Sequence, residues 1–177
     1  MIPSAPIPGS YWLVEGQILA GEYPGAYDEA RARAKLELLL LAGIRSFIDL
    51  TDPADPLAPY SNLLNELASE QDIECRYRRF AICDLGIPTR QLMSEILAAV
   101  RTELDEGRPV YVHCWGGIGR TGTVAGCWLV EQGLSPDEAL ERIVALRRGT
   151  PDVSRRSPET DEQCGFVRSW NGRPPTE

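Results

Sequence analysis

The stretch from Val110 to Gly122 constrains this chain most, because an apolar strand pattern runs directly into a glycine-rich turn and then into a helical pattern. Cys114 follows the strand, Arg120 comes six positions later, and three of the five residues between them are glycine. In a chain with five cysteines and 18 basic residues, such a spacing can arise by chance. The context adds weight, because the only histidine, His113, precedes the cysteine and Thr121 follows the arginine.

A loop of this composition at the start of a helix is expected to bind an oxyanion. Successive backbone N–H groups would point inward and form an anion-binding nest at the positive end of the helix dipole. Glycine supplies the backbone angles and the close approach that such a nest needs. Arg120 can hold two phosphate oxygens with its planar fork, which lysine could not do. The predicted phosphate-binding residues are Trp115, Gly116, Gly117, Ile118, Gly119 and Arg120.

Cys114, at the mouth of this nest, is the predicted nucleophile. The N–H groups, the helix dipole and Arg120 all favour its thiolate form. A thiolate that faces a bound phosphate is placed to attack phosphorus. Thr121 is expected to donate a hydrogen bond to the Cys114 sulfur and so to ease its departure in a second step. This chemistry requires no metal ion and no cofactor.

The segment His113-Cys114-x5-Arg120-Thr121 resembles the signature of the cysteine-dependent protein tyrosine and dual-specificity phosphatases. Its interior, an aromatic residue followed by Gly-Gly-x-Gly, is similar to the branch that contains the cyclin-dependent-kinase-associated phosphatase. The chain lacks the Trp-Pro-Asp loop of the classical tyrosine phosphatases, so the dual-specificity resemblance is the better one. The resemblance implies an α/β fold in which helices flank a central mixed, mostly parallel sheet of about five strands.

Asp84 is the predicted general acid. It lies on a Gly/Pro-containing loop after a strand pattern, 30 residues before Cys114, with one predicted helix between them. Loops at the carboxyl ends of parallel strands gather at one edge of a sheet, so both residues are expected to face one crevice. One carboxyl group can protonate the leaving oxygen and later activate water. Alternatively, Asp84 is a turn or cap residue and Asp52 is the acid. The predicted catalytic set is Cys114, Arg120, Asp84, Thr121 and His113.

The candidate substrate-rim residues are Asp52, Tyr60, Arg155, Arg156 and Gln163. By resemblance, the first two lie on a loop beside the active site, and Gln163 stands where tyrosine phosphatases carry a glutamine near the nucleophilic water. The two arginines, with two others over 147–156, would form a second anion site suited to an acidic phosphopeptide. The alternatives are a capping turn before a helix over 60–69 and, for Arg147 and Arg148, complementarity to a helix dipole.

The length of 177 residues favours one domain. We expect a loose arm over 1–10, a single domain over 11–171 and a loose tail over 172–177. Within it, a hairpin is predicted around Glu15-Gly16. A helix is predicted over 27–42, with a core face at Ala30, Ala34, Leu38 and Leu41. The last helix is predicted to begin at Ser157-Pro158.

A net charge of −8 disfavours binding to nucleic acid or to an anionic membrane surface. The longest apolar run is too short to span a bilayer, and the first residues lack the pattern of a signal peptide. With one histidine and no C-x-x-C pair, no zinc site is expected. A free catalytic thiol suits a reducing compartment, so a cytoplasmic location and a monomer are expected.

The resemblance thus implies a protein phosphatase that acts on phosphotyrosine, or on phosphotyrosine together with phosphoserine and phosphothreonine. The uncharged interior of 115–119 argues against a lipid substrate, since lipid phosphatases of this type usually carry lysine there. The alternatives are a phosphopeptide-binding module without turnover, a phosphatase of non-protein phosphomonoesters, and another Cys-loop enzyme such as a sulfurtransferase or an arsenate reductase.

Overall fold

The computed structural model describes residues 5–172, and this part of the chain contains one five-stranded sheet. The strands are β1 (Ser10–Val14), β2 (Ile18–Gly21), β3 (Ser46–Asp49), β4 (Arg76–Arg79) and β5 (Val110–His113). Their order across the sheet is β1-β2-β5-β3-β4. The pair β1–β2 is antiparallel and the other neighbouring pairs are parallel, which confirms the predicted mixed sheet. The loops that follow β3, β4 and β5 therefore leave the sheet at the same edge.

Six α-helices flank the sheet in the described part of the chain. They are α1 (Glu29–Leu41), α2 (Ser61–Glu70), α3 (Arg90–Asp105), α4 (Arg120–Glu131), α5 (Pro136–Leu146) and α6 (Asp161–Ser169). Local caps fix two of their starts: Thr89 accepts a hydrogen bond from the Leu92 amide at α3, and Ser135 and Glu138 form a capping box at α5. None of the helices within residues 5–172 is both long and apolar enough to cross a membrane.

The central strand β5 is buried on both faces. Val110 and Val112 belong to a core that includes side chains of α3, α4 and α5, whereas Tyr111 belongs to a second core with side chains of α1 and α2. This division follows from the two-residue period of a strand. Because packing holds β5 from both sides, the end of the strand at His113 is a rigid platform for the loop that follows.

The predicted core face of α1 is wrong. The buried residues are Ala32, Leu36, Leu39 and Leu40, whereas Leu41 is 84% exposed and Leu38 is also exposed. Leucine occupies four consecutive positions from 38 to 41, more than one full turn, so leucine faces every side of the helix end. Spacing alone therefore could not select the face that packs on the sheet.

The predicted loose arm over 1–10 is wrong for its described part. The side chain of Ile7 is only 1% exposed and packs in the core beside α1 and α2, and Ser10 is the first residue of β1. The proline and glycine residues nearby indicated flexibility, but burial of one isoleucine anchors the segment. Residues 1–4 and, in the predicted tail, 173–177 lie outside the described residues.

The last helix begins at Asp161 rather than at Ser157. Thr160 and Gln163 form the capping box that starts it, with Thr160 Oγ1 accepting a hydrogen bond from the Gln163 amide at 3.1 Å. Ser157 is buried and donates its hydroxyl proton to the carbonyl oxygen of Ile118 at 2.7 Å. The Ser-Pro pair that resembled a helix start instead contacts the loop after β5.

Candidate active site

The loop from Cys114 to Arg120 connects β5 to α4 and lines a cavity of about 320 Å³. Asp84 and Leu85, on the loop after β4, form another wall of the same cavity, and Arg155 and Glu159 form a third. The predicted nucleophile, the glycine-rich loop and the predicted acid therefore face one crevice. This convergence depends on the sheet, because the segments that contribute are far apart in the sequence.

Gly117 allows the loop to pack against the end of β2. Its φ is +71°, in the left-handed region that favours glycine. A Cβ atom at this position would overlap the carbonyl group of Gly21. The neighbouring loop carbonyl, that of Trp115, accepts a hydrogen bond from the Tyr23 amide at 2.8 Å. The curvature of the loop is therefore set by contacts with β2 and the residues just after it.

Arg120 is buried, and its guanidinium group is held on two sides. Nη1 donates to Asp55 Oδ2 at 2.7 Å and to the carbonyl oxygen of Ile82 at 2.9 Å, while Nη2 donates to Asp84 Oδ1 at 3.0 Å. Burial opposes the charged form, but the nearby Cys114 and Asp55 outweigh it and raise the pKa of Arg120. The arginine is therefore fixed as a cation with a defined orientation beside Cys114.

Asp55 was missed in the sequence. It lies three residues after Asp52 in the turn-rich segment Asp52-Pro53-Ala54-Asp55-Pro56 that follows β3. The resemblance implies a loop beside the active site at this segment and points to Asp52, whereas Asp55 is the residue that contacts Arg120. Asp52 lies outside the cavity lining, and its Oδ1 accepts a hydrogen bond from the Ala54 amide at 2.9 Å, as in a local turn. Asp52 is thus a turn residue rather than a rim residue.

Asp84 lies on a tight turn whose ends are joined by a hydrogen bond from the Gly86 amide to the Cys83 carbonyl at 2.9 Å. Its side chain is 48% exposed and lines the cavity beside Arg120. The next residue, Leu85, has a φ of +60°, which is uncommon for a residue with a side chain. The geometry suits a carboxyl group that can reach a leaving oxygen, and its role as the acid stays a prediction.

His113 lies beneath the loop rather than in the cavity. It is fully buried, with Nε2 2.6 Å from the Tyr60 hydroxyl and Nδ1 3.2 Å from the Cys114 carbonyl oxygen. Burial lowers the pKa of His113, although Asp49 opposes this effect. The histidine therefore orients the backbone of Cys114 and does not line the cavity.

Tyr60 is not a rim residue. It is buried at the start of α2, and its ring makes edge contacts with the rings of Tyr23, Tyr77 and His113. The prediction failed because a tyrosine beside a predicted active-site loop can face either solvent or the core. The alternative interpretation, in which this segment leads into a helix, agrees with the start of α2 at Ser61.

A buried carboxylate at the end of β3 was also missed. Asp49 accepts hydrogen bonds from the Thr51 amide at 2.9 Å, the Thr51 hydroxyl at 2.6 Å and the Tyr77 hydroxyl at 2.6 Å. Burial alone would raise the pKa of Asp49, but His113, Thr51 and Tyr77 outweigh it and lower that pKa. The sequence did carry a signal for this residue: Asp49 is the one charged residue in the otherwise apolar strand pattern from Phe47 to Leu50.

The predicted hydrogen bond from Thr121 to the Cys114 sulfur is absent. Thr121 Oγ1 is buried without a hydrogen-bond partner among residues 5–172. The side chain lines a small apolar cavity together with Val112 and Val124, because the second residue of α4 faces the sheet. Thr123 instead contacts the loop, where its hydroxyl donates to the Gly119 carbonyl at 2.9 Å.

The predicted second anion site does not form as a cluster. Arg155 lines the catalytic cavity, where it pairs with Glu159. Arg156 lies outside the cavity lining and pairs with Asp161 at 2.8 Å. Arg147 donates to the carbonyl oxygens of Arg155 and Asp152 at 2.7 and 3.0 Å, so it stabilises the loop backbone. Ion pairs and backbone contacts that the sequence could not show thus separate these arginines.

Gln163 also lies away from the rim, fully buried within the capping box of α6. Of the five rim candidates, all of them within the described residues, Arg155 alone lines the cavity. No group of three or more His, Cys, Asp and Glu side chains within residues 5–172 is placed to hold a metal ion.

A cysteine at the end of a central strand, a glycine-rich loop, and an arginine at the start of the next helix form the site of a cysteine-based phosphatase. A family model described as "Swiss Army Knife protein, DSP-PTPase phosphatase domain" (PTP-SAK) matches residues 8–170. The chain therefore belongs to this family of dual-specificity and tyrosine phosphatase domains, and the resemblance drawn from the signature is confirmed.

Individual relatives agree with this assignment. The chain is 29% identical over 130 residues to the Arabidopsis thaliana protein named phosphatidylinositol 3,4,5-trisphosphate 3-phosphatase and protein-tyrosine-phosphatase PTEN1. That match covers 72% of this chain but only 30% of the relative. The crystal structure of Tk-PTP in its active form superposes with a TM-score of 0.69 at 26% identity, covering 92% of this chain and 96% of the other.

The kinase associated phosphatase (KAP), solved with its catalytic cysteine replaced by serine, has the same fold. Its TM-score is 0.68 at 22% identity, and the alignment covers 93% of this chain and 94% of that structure. At this level of identity the likeness shows the fold alone, and the sheet described above is therefore of the dual-specificity phosphatase type.

Proposed function

We propose that this phosphatase domain hydrolyses phosphoproteins through a phosphocysteine at Cys114, and that it prefers phosphotyrosine to phosphoserine and phosphothreonine. The observation that carries the proposal is the shared cavity in which Cys114, Arg120 and Asp84 meet. A monomeric state and a cytoplasmic location stay predictions.

In the first step, the N–H groups of the loop and Arg120 bind the phosphate oxygens, and the Cys114 thiolate attacks phosphorus. The bond from phosphorus to the leaving oxygen breaks as Asp84 gives that oxygen its proton. For this, the Asp84 carboxylate takes up a proton from solvent as it leaves Nη2 of Arg120, which then binds a phosphate oxygen. Nη1 remains hydrogen-bonded to Asp55, so the guanidinium group keeps its position.

In the second step, water attacks phosphorus while Asp84 accepts a proton from it. The bond from phosphorus to sulfur breaks, and Cys114 leaves as a thiolate. The products are inorganic phosphate and the enzyme with Asp84 protonated, and the carboxyl group gives up this proton to solvent when it pairs with Arg120 again. His113 acts only through its contact with the Cys114 carbonyl, which keeps the sulfur at the mouth of the loop.

The cavity walls support a protein substrate. Trp115 and Leu85 are exposed apolar residues on two sides of the cavity, where they can contact an aromatic ring. Glu159 lines the same opening as an ion pair with Arg155, so this wall offers no net positive charge to the additional phosphates of an inositol lipid head group. The name of the Arabidopsis relative nevertheless includes a lipid activity, so lipid phosphates belong in the test.

The test is a panel of peptides that carry phosphotyrosine, phosphoserine or phosphothreonine, together with a soluble phosphatidylinositol trisphosphate. We expect the Cys114→Ser variant to lose turnover on every substrate, while Cys75→Ser, a change away from the cavity, keeps it. We expect wild type to prefer the phosphotyrosine peptide. Turnover that persists in Cys114→Ser would exclude the phosphocysteine, and a preference for the lipid would exclude the proposed substrate class.

A further inference from the structure

The side chain of Gln163 joins three segments of the active site. Its Oε1 accepts hydrogen bonds from the Glu159 amide at 3.0 Å and the Thr160 amide at 3.1 Å, both at the start of α6. Its Nε2 donates to the carbonyl oxygen of Gly86 at 3.1 Å, on the loop that carries Asp84. Because two N–H donors face the oxygen, the amide has one satisfactory orientation, and its nitrogen must face Gly86.

The same amide packs against the phosphate-binding loop. A Cβ atom placed on Gly119 would lie 2.9 Å from both the nitrogen and the oxygen of the Gln163 amide, which is closer than real Cβ contacts. Glycine at position 119 thus lets the loop rest directly on the glutamine. Gln163 is fully buried, so water does not compete for these hydrogen bonds.

The acid loop needs such external support. The turn from Cys83 to Gly86 places Leu85 at a φ of +60°, where glycine or asparagine is usually found. A leucine favours other arrangements of this turn, and the native one persists only when surrounding contacts fix it. The hydrogen bond from Gln163 holds the far end of this turn, two residues beyond Asp84.

We propose that Gln163 is a positioning residue that holds the acid loop at Gly86, so that the carboxyl group of Asp84 is directed towards the leaving oxygen. This inference rests on the proposed function, in which Asp84 is the general acid. Gln163 does not touch the substrate, and its contribution passes entirely through Asp84. Its loss therefore affects most the reactions that depend most on protonation of the leaving group.

The test compares phenyl phosphate, whose leaving group needs a proton, with 4-nitrophenyl phosphate, whose leaving group is stable as an anion. In Gln163→Met, we expect kcat/KM to fall about 10-fold for phenyl phosphate and less than about 3-fold for 4-nitrophenyl phosphate. Asp84→Ala should show a larger selective loss in the same direction. In the double variant, Gln163→Met should add no further loss on phenyl phosphate to that of Asp84→Ala.

Thr160→Ala is the matched control, because Thr160 is the other half of the same capping box. The change weakens the start of α6 but keeps the contact between Gln163 and Gly86. We expect Thr160→Ala to lower the melting temperature without changing the ratio of the two kcat/KM values. An equal change of that ratio in Thr160→Ala would show that only helix stability matters and would overturn the proposal.

Gln163→Glu provides a second variant if Gln163→Met does not fold. Glutamate is a usual residue of the capping box and retains the two accepted bonds, but an ionised carboxylate cannot donate to Gly86. We expect the same selective loss on phenyl phosphate. If Asp84→Ala is selective and neither Gln163 variant is, this inference alone fails. If Asp84→Ala shows no selectivity, the proposed acid fails and this inference fails with it.

Discussion

At the scale of single residues, the buried guanidinium of Arg120 requires partners, since an unpaired charge in the interior is costly. Its two carboxylate partners differ in exposure: the Asp55 side chain is 7% exposed and that of Asp84 is 48% exposed. The buried carboxylate can therefore serve as a fixed anchor, while the exposed one is free to move towards a substrate. In the proposed mechanism, Asp55 therefore orients the arginine and Asp84 supplies the proton.

We expect Asp55→Asn to lower kcat/KM for an aryl phosphate about 10-fold. A hydrogen bond to a charged group contributes roughly 1.5–3 kcal/mol, and the neutral amide orients Arg120 less firmly. The measurement is steady-state kinetics beside Asp52→Asn, a variant with the same charge change that does not touch Arg120. Equal kinetics in wild type and Asp55→Asn would show that the arginine needs no such anchor.

At the scale of elements, the loop between β5 and α4 contains two adjacent glycines with different surroundings. Gly117 has a positive φ and no room for a Cβ atom against Gly21. At Gly116, an added Cβ atom would lie 3.6 Å from its nearest neighbour, Ile118 Cδ1, which is an ordinary contact. Although both glycines belong to one sequence motif, only Gly117 is required by the fold of the loop.

We therefore expect Gly117→Ala to abolish measurable turnover, because the loop must move away from β2 and the nest loses its shape. Gly116→Ala should retain turnover within about 5-fold of wild type, since the methyl group causes no strain. Both variants are assayed on the same aryl phosphate, with the affinity for vanadate as a second measurement. Similar activity in the two variants would contradict this account of the loop.

The elements that the sequence predicted well are those with local signals. The strand, glycine loop and helix from Val110 onward, and the starts of α3 and α5, follow from periodicity and caps within a few residues. The buried face of α1 was mispredicted because leucine lies on every side of its last turn. The start of α6 was mispredicted because the Ser157-Pro158 pair resembles a helix start. In both cases the outcome depends on which other elements pack against the segment.

The candidate site divides in the same way. Cys114 and Arg120 were predicted from one short motif, and Asp84 from its loop and its distance along the chain. The roles of Asp49, Asp55 and Gln163 were not predicted, because each arises from contacts with segments far away in the sequence. Thr121 was predicted from its position next to Arg120 to contact the Cys114 sulfur. Its side chain instead faces the sheet, because that is the face of α4 on which it lies.

At the scale of the whole molecule, His113 is the only histidine and is fully buried at the centre of the sheet. Its pKa is lowered by burial from the ordinary value of 6.5. As the pH falls through that value, the unfolded chain takes up a proton that the folded chain does not. The contribution to stability is thus complete above pH 6.5 and decreases as the pH falls below it. The lowered pKa of Asp49 matters only in more acidic solution, near its ordinary value of 3.8 and below.

We expect the free energy of unfolding to be lower at pH 5.5 than at pH 7.5, because the unfolded chain binds a proton at His113 that the folded chain binds less well; about 1.4 kcal/mol is the upper limit for one group over this range. Urea denaturation at the two pH values measures it. In His113→Gln, which is less stable at both, the difference between them should disappear. A difference that survives in this variant would assign the pH dependence to other groups.

The pairing of Arg120 with carboxylates of the same chain also bears on the end of each catalytic cycle. Asp84 accepts a hydrogen bond from Nη2 of Arg120, so it competes with a phosphate oxygen for the same donor. Small anions in solution must displace the Asp84 carboxylate from Arg120. We therefore expect them to inhibit less than they would if Arg120 had no carboxylate partner at Nη2. When hydrolysis is complete, the return of the carboxylate to Arg120 favours release of inorganic phosphate. We therefore expect the same ion pair to limit inhibition by inorganic phosphate.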